Sequence, residues 1–95
     1  MKTNAFDEIR REHLAWCDAT FPGESAKEMH DHLKEEVEEL GKSMGDPLEI
    51  ADCLLLLCSL ANKLNIDPVE AMRRKLEINK ARKWKGNRHV EEATP

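Results

Sequence analysis

Apolar residues recur along the chain at helical spacing, and capping chemistry marks where each series starts and stops. Phe6, Ile9, the pair His13 and Leu14, and Cys17 follow a 3.6-residue period. That spacing predicts a first helix from about Ala5 to Asp18, with Asn4 as its cap. Thr20-Phe21-Pro22-Gly23 breaks it. Ser25-Ala26-Lys27-Glu28 has the form of a capping box and predicts a second helix running to about Leu40, with Gly41 as a left-handed stop. Asp46-Pro47-Leu48-Glu49 and Asp67-Pro68-Val69-Glu70 repeat one start signal, Asp at the cap and Pro in the first turn. They place a third helix ending near Asn65 and a fourth that stops before Gly86. No strand is expected anywhere. One domain over 1–86 is expected, with 87–95 as a mobile tail because it lacks apolar periodicity. Four helices joined by short loops predict an all-α fold, a four-helix bundle.

The third helix departs from the amphipathic pattern. From Ile50 to Leu64 its apolar residues, including Leu54, Leu55, Leu56, Leu57 and Leu60, cover nearly the whole circumference, so it must be covered on all sides. A chain of 95 residues buries only a modest core by itself, so pairing with further copies, as a homodimer or homotetramer, is expected to complete it.

Acidic residues stand at the start of that apolar helix and at the end of the one before it. Glu36 and Glu39 lie three residues apart at the edge of the Leu33, Val37 and Leu40 stripe, and Glu49 and Asp52 repeat the spacing across the intervening turn. Two carboxylates at i, i+3 can grip one hard cation from a single helix, and a second such pair on a facing helix completes a cage of oxygen ligands. With no His or Cys in the set, Mg²⁺, or Mn²⁺ in its place, is favoured over zinc. A run such as Glu35 to Glu39 is ordinarily a solvated helix face, and Glu49 alone is explained as the capping-box partner of Asp46. Asp52 has no such excuse. It adjoins a leucine run, where it is expected to be partly buried and to need a compensating charge.

On the fourth helix Lys75, Asn79 and Arg82 fall at i, i+4 and i+7, within an arc of roughly 60°. Alone they read as a solvated basic face near a helix C-terminus. Beside a magnesium cage the row reads as a clamp for the oxygens of a triphosphate.

Composition narrows the partners. The net charge of −4 argues against a nucleic-acid polymer or an anionic membrane surface. The apolar run from Cys53 to Ala61 is too short to span a bilayer. Three cysteines without CxxC spacing fit reduced thiols in a cytosolic protein, and no secretory leader is expected.

Glu35-Glu36-x-x-Glu39 followed by Glu49-x-x-Asp52 resembles the signature of MazG-like nucleotide pyrophosphohydrolases, of the all-α NTP pyrophosphatase superfamily. Lys75-x-x-x-Asn79-x-x-Arg82-x-Trp84 is similar to that family's closing motif. The stretch from Trp16 through Phe21, His32 and Glu36 to Ala51-Asp52 and Trp84 looks most like the short dATP/dGTP-type pyrophosphohydrolases of phages and bacteria. The resemblance covers about Ile9 to Arg88, and the turn between the acidic pairs is shorter here than in many relatives. It implies Mg²⁺ on Glu36, Glu39, Glu49 and Asp52, phosphate contacts from Lys75, Asn79 and Arg82, and conversion of a (d)NTP, a purine dNTP first, to (d)NMP and pyrophosphate. Either Glu35 or Glu39 takes the proton of the attacking water. Trp16, Phe21 and His32 are candidates to hold the base, with His13 beside them, although Trp16 and Phe21 serve equally as core aromatics. The competing readings are a dUTPase-like or damaged-nucleotide hydrolase and a non-catalytic helical module that binds nucleotide or protein.

Overall fold

The computed structural model describes residues 4–86 and 88–91, the last four by their backbone alone. Helices run over α1 (Ala5–Thr20), α2 (Ala26–Lys42), α3 (Pro47–Lys63) and α4 (Pro68–Ala81), and two short strands follow, β1 (Lys83–Lys85) and β2 (Arg88–Glu91).

The caps do what their side chains allow. Asn4 Oδ1 accepts from the Asp7 amide at 2.8 Å. Ser25 and Glu28 form the reciprocal capping box, 3.1 and 3.0 Å, and Asp46 and Asp67 accept from amides in the first turns of α3 and α4. The predicted stop at Gly41 is corrected. α2 continues through Gly41 to Lys42, and the Ser43 amide closes it on the carbonyls of Glu39 and Leu40. The left-handed glycine of that turn is Gly45, φ 103°. At the end of α3, Asn65 takes φ 58°, its amide donates to Asn62 O, and the Ile66 amide reaches back to Ala61 O at 2.8 Å. That pair of bonds is a Schellman closure, with Asn in the place glycine usually fills.

A second correction concerns strands. β1 and β2 pair antiparallel, with Lys85 opposite Arg88 and Trp84 opposite His89, and Gly86 at φ 64° begins their turn. Gly86-Asn87 is a hairpin signal that a segment without alternating apolar residues obscures. The expected tail therefore has a strand in it, while residues 87 and 92–95 lie outside the described residues.

α3 packs against α2 along much of its length and against α1 over less, whereas α4 makes almost no contact with the other helices. The radius of gyration is 15.9 Å, against about 12.4 Å for a closed domain of this length. Core burial is correspondingly thin. Cys53, Cys58 and Ser59 are the buried positions among the described residues, and Leu54, Leu57, Met72 and Leu76 of α3 and α4 stay about half exposed. All three cysteines are free. No helix among the described residues is long and apolar enough to cross a membrane.

Candidate active site

The short turn at Gly45 sets α2 and α3 side by side, with acids on both. Glu36 of α2 and Glu49 and Asp52 of α3 each bring a carboxylate oxygen within 4.8 Å of the other two. Donor oxygens on an octahedral magnesium lie about 3.0 Å apart when adjacent and about 4.2 Å when opposite, so side-chain rotations moving these oxygens by about 1–2 Å reach ligand distance. An all-oxygen donor set suits a hard divalent cation, and these residues fit one.

Glu49 carries the clearest electrostatic sign of that fit. Its carboxyl is held above the ordinary range, first by its removal from water and then by Asp52, Asp46, Glu36 and Glu39. The capping role expected for it is absent. The Asp46 carboxylate accepts from the Leu48 amide at 2.9 Å, and the Asp46 amide donates to Ser43 O, so Glu49 is left to the acidic group. Asp52 shows the opposite departure. It is exposed, not partly buried, because the cover that an all-round apolar helix requires is not supplied by α4 of the same chain. Glu39 lies outside the three-oxygen group, exposed, with Lys42 Nζ 3.8 Å from its carboxylate, yet near enough to act on Glu49. Glu35 lines a separate shallow groove with Asp31, Lys34 and Glu38.

Glu36 and Asp52 also line a cavity of about 400 Å³, a size that suits a small ligand. Trp16, Phe21, Leu55 and Leu56 give it apolar walls. The two aromatics meet edge to face, 5.5 Å between centroids at 87°, and both are about half exposed, so they are cavity walls and not core. His32 lines the same cavity, with its Nε2 3.3 Å from Glu36 Oε1. The cavity thus brings Trp16, Phe21 and His32 together with two of the acids.

His13 lines the cavity too, and Ser59, Cys17 and Glu24 are three further polar groups there that escape a reading by sequence. His13 Nε2 and Ser59 Oγ share a 2.8 Å hydrogen bond, and Cys17 Sγ lies 3.3 Å from the same nitrogen. Burial pushes the His13 pKa down, against a hydrogen bond to the Leu55 backbone. Ser59 is 4% exposed; its signal in the sequence is a lone hydroxyl in the most apolar helix. Glu24 is the third, half-covered and directly before the Ser25 cap.

Lys75, Asn79 and Arg82 are not in that cavity. Lys75 lines a shallow depression of α4 with Ala71, Arg74 and Ile78. Arg82 is the C-cap of α4, with extended backbone, so the seven-residue helical step does not apply to it. Its Nη1 donates to Asn79 Oδ1 at 3.4 Å, and Trp84 Nε1 donates to Asn79 O at 2.7 Å.

The family described as dATP/dGTP pyrophosphohydrolase matches residues 9–94. The chain belongs to that family. It is 42% identical over 79 residues to a dATP/dGTP diphosphohydrolase of cyanophage S-2L, covering 81% of this chain and 75% of the relative. It is 40% identical over 81 residues to the Eaa protein of Salmonella phage P22, of which it spans only 26%. Among solved structures it superposes with TM-score 0.81 and 38% identity on the cyanophage S-2L MazG-like pyrophosphohydrolase bound to dGDP and three catalytic Mn²⁺ ions per active site, covering 93% of this chain and 99% of that one. Membership of the dATP/dGTP pyrophosphohydrolases makes the chain a MazG-like nucleotide pyrophosphohydrolase, an enzyme of phosphoric anhydride bonds, and bears out the resemblance carried by the acidic pairs.

Proposed function

We propose that Glu36, Glu49 and Asp52 hold the divalent cation, that Trp16 and Phe21 take the base of a purine deoxynucleoside triphosphate, and that cleavage gives the monophosphate and pyrophosphate. The observation that carries this is a single cavity lined by both an aromatic pair and two carboxylates of the acidic group. A base against the aromatics sets its phosphates towards the acids. The dGDP and Mn²⁺ bound by the cyanophage protein support the same arrangement here.

When bound, the cation supplies charge neutralisation at the phosphate oxygens and orientation of the attacking water. Glu39 is the better candidate to take that water's proton. It stands close enough to perturb Glu49, whereas Glu35 lines a different groove. The water's oxygen then bonds to the α-phosphorus as the bond to the bridging oxygen breaks, and pyrophosphate leaves. His32, 3.3 Å from Glu36, holds that carboxylate towards the cavity.

Lys75, Asn79 and Arg82 remain the phosphate-binding set in this reading, supplied by a second copy. Two features support it: none of the three lines the cavity that holds Glu36 and Asp52, and α3 and α4 leave Leu54, Leu57, Met72 and Leu76 half exposed. The domain proper is 1–86, acting as a homodimer or homotetramer.

Incubation with each dNTP and Mg²⁺ or Mn²⁺, followed by chromatography, should yield monophosphate and pyrophosphate. No hydrolysis with either ion would overturn the reading. Mixing Asp52→Asn with Lys75→Ala protein should restore activity that neither has alone; failure to do so, with both variants folded and exchanging subunits, would return the clamp to a single chain.

A further inference from the structure

We infer that Glu24 reads the hydrogen-bond donor edge of guanine and makes this cavity select dGTP over dATP. The inference rests on the cavity being the base pocket proposed above.

The other polar groups in the lining are already engaged. His13, Ser59 and Cys17 are joined to one another at 2.8 and 3.3 Å. His32 is held to Glu36, and Glu36 and Asp52 belong to the acidic group. Glu24 is different. Its amide donates to Phe21 O at 3.3 Å, but among the described residues its carboxylate has no hydrogen bond or ion pair. Nor does the neighbouring cap use it, since Glu28 serves the Ser25 amide.

The backbone holds this carboxylate in place. Gly23 takes φ 78°, a conformation that side chains other than glycine rarely adopt, and the Phe21–Glu24 hydrogen bond closes the turn around it. Phe21 and Glu24 are thereby presented to the same cavity.

A carboxylate only accepts hydrogen bonds, and offers two oxygens side by side. Guanine matches it with two parallel donors, N1–H and the 2-amino group. Adenine presents an unprotonated N1 at that position, a second acceptor, and leaves the carboxylate unpaired. A site built to bond a substrate N–H discriminates strongly against an analogue that lacks it. Glutamine in place of Glu24 offers one acceptor and one donor, which suits N6–H and N1 of adenine.

The test measures kcat/KM for dGTP, dITP and dATP in the parent, Glu24→Gln and Glu24→Ala, with melting curves to confirm folding. The parent should rank dGTP above dITP above dATP, because inosine keeps N1–H and lacks the 2-amino group. Glu24→Gln should lower the dGTP/dATP ratio by roughly 10- to 100-fold, the span of one bidentate base contact, and Glu24→Ala should bring all three substrates together. Parallel changes for dGTP and dATP in both variants, or a parent that does not distinguish them, would overturn the role of Glu24 and leave the hydrolase reading intact. A parent inactive on every purine dNTP with both metals would overturn the hydrolase reading itself, and this one with it.

Discussion

Replacing Ser59 by alanine tests the contact that ties the cavity together. Ser59 is 4% exposed, and its hydroxyl is 2.8 Å from His13 Nε2. The bond joins α1 to α3 across 46 residues of chain. A hydrogen bond of this kind contributes about 1 kcal/mol net, and leaving its partner unsatisfied in a buried place costs about 1–3 kcal/mol. His13 keeps Cys17 Sγ at 3.3 Å and its bond to the Leu55 backbone, which places Ser59→Ala at the lower end, about 1–2 kcal/mol. For a chain of 95 residues the entropy of unfolding is about 0.2 kcal/mol per degree, so Tm should fall by about 5–10 °C. Calorimetry on the parent, Ser59→Ala, His13→Ala and the double variant, at one protein concentration, closes a cycle with a coupling of about 1 kcal/mol. A Tm shift below about 2 °C, or strictly additive losses, would refute the claim that this bond pins the two helices.

Three other outcomes follow from the same structure. Because the folded state holds the Glu49 carboxyl above its ordinary value of 4.5, the metal-free fold binds more protons than the unfolded chain just above that pH; stability should fall as pH rises through this window, and Glu49→Gln should flatten the metal-free melting profile there. Asp52→Asn removes one of three converging charges, so without metal it should melt above the parent while losing the metal-induced rise in Tm; retention of that rise would remove Asp52 from the site. Ser25→Ala breaks the capping box and should cost about 1 kcal/mol by chemical denaturation, with metal-induced stabilisation unchanged.

The helices were legible because their signals are local. A cap and its amide lie within three residues of each other, and the Asp-Pro starts at 46 and 67 act within one turn. Burial is not a local property. Asp52 looked covered because its helix is apolar all round, but cover depends on which surfaces meet, and α4 does not fold over it in this chain. Glu49 moved the other way. Its capping role was a local alternative, and Ser43 and Leu48 take up both groups of Asp46 that it required. Ser59 and Glu24 were illegible for a third reason. One is a single hydroxyl whose partner lies 46 residues away, and the other sits in a break with no period to read. The 10-residue reach of the acidic motif, from Glu39 to Glu49, is as far as spacing alone carried the site.

α3 places two demands on one rod. Leu55, Leu56 and Ser59 line the cavity, while Leu54 and Leu57, immediately beside them in the chain, are half exposed on other faces. A residue on one face of such a helix cannot be moved without turning its neighbours, since each step along the backbone is a rotation of about 100°. A repacking that turns α3 to reseat Leu54 or Leu57, which lie outside the cavity lining, also moves Leu55, Leu56 and Ser59 within it, so truncating either leucine should register in turnover.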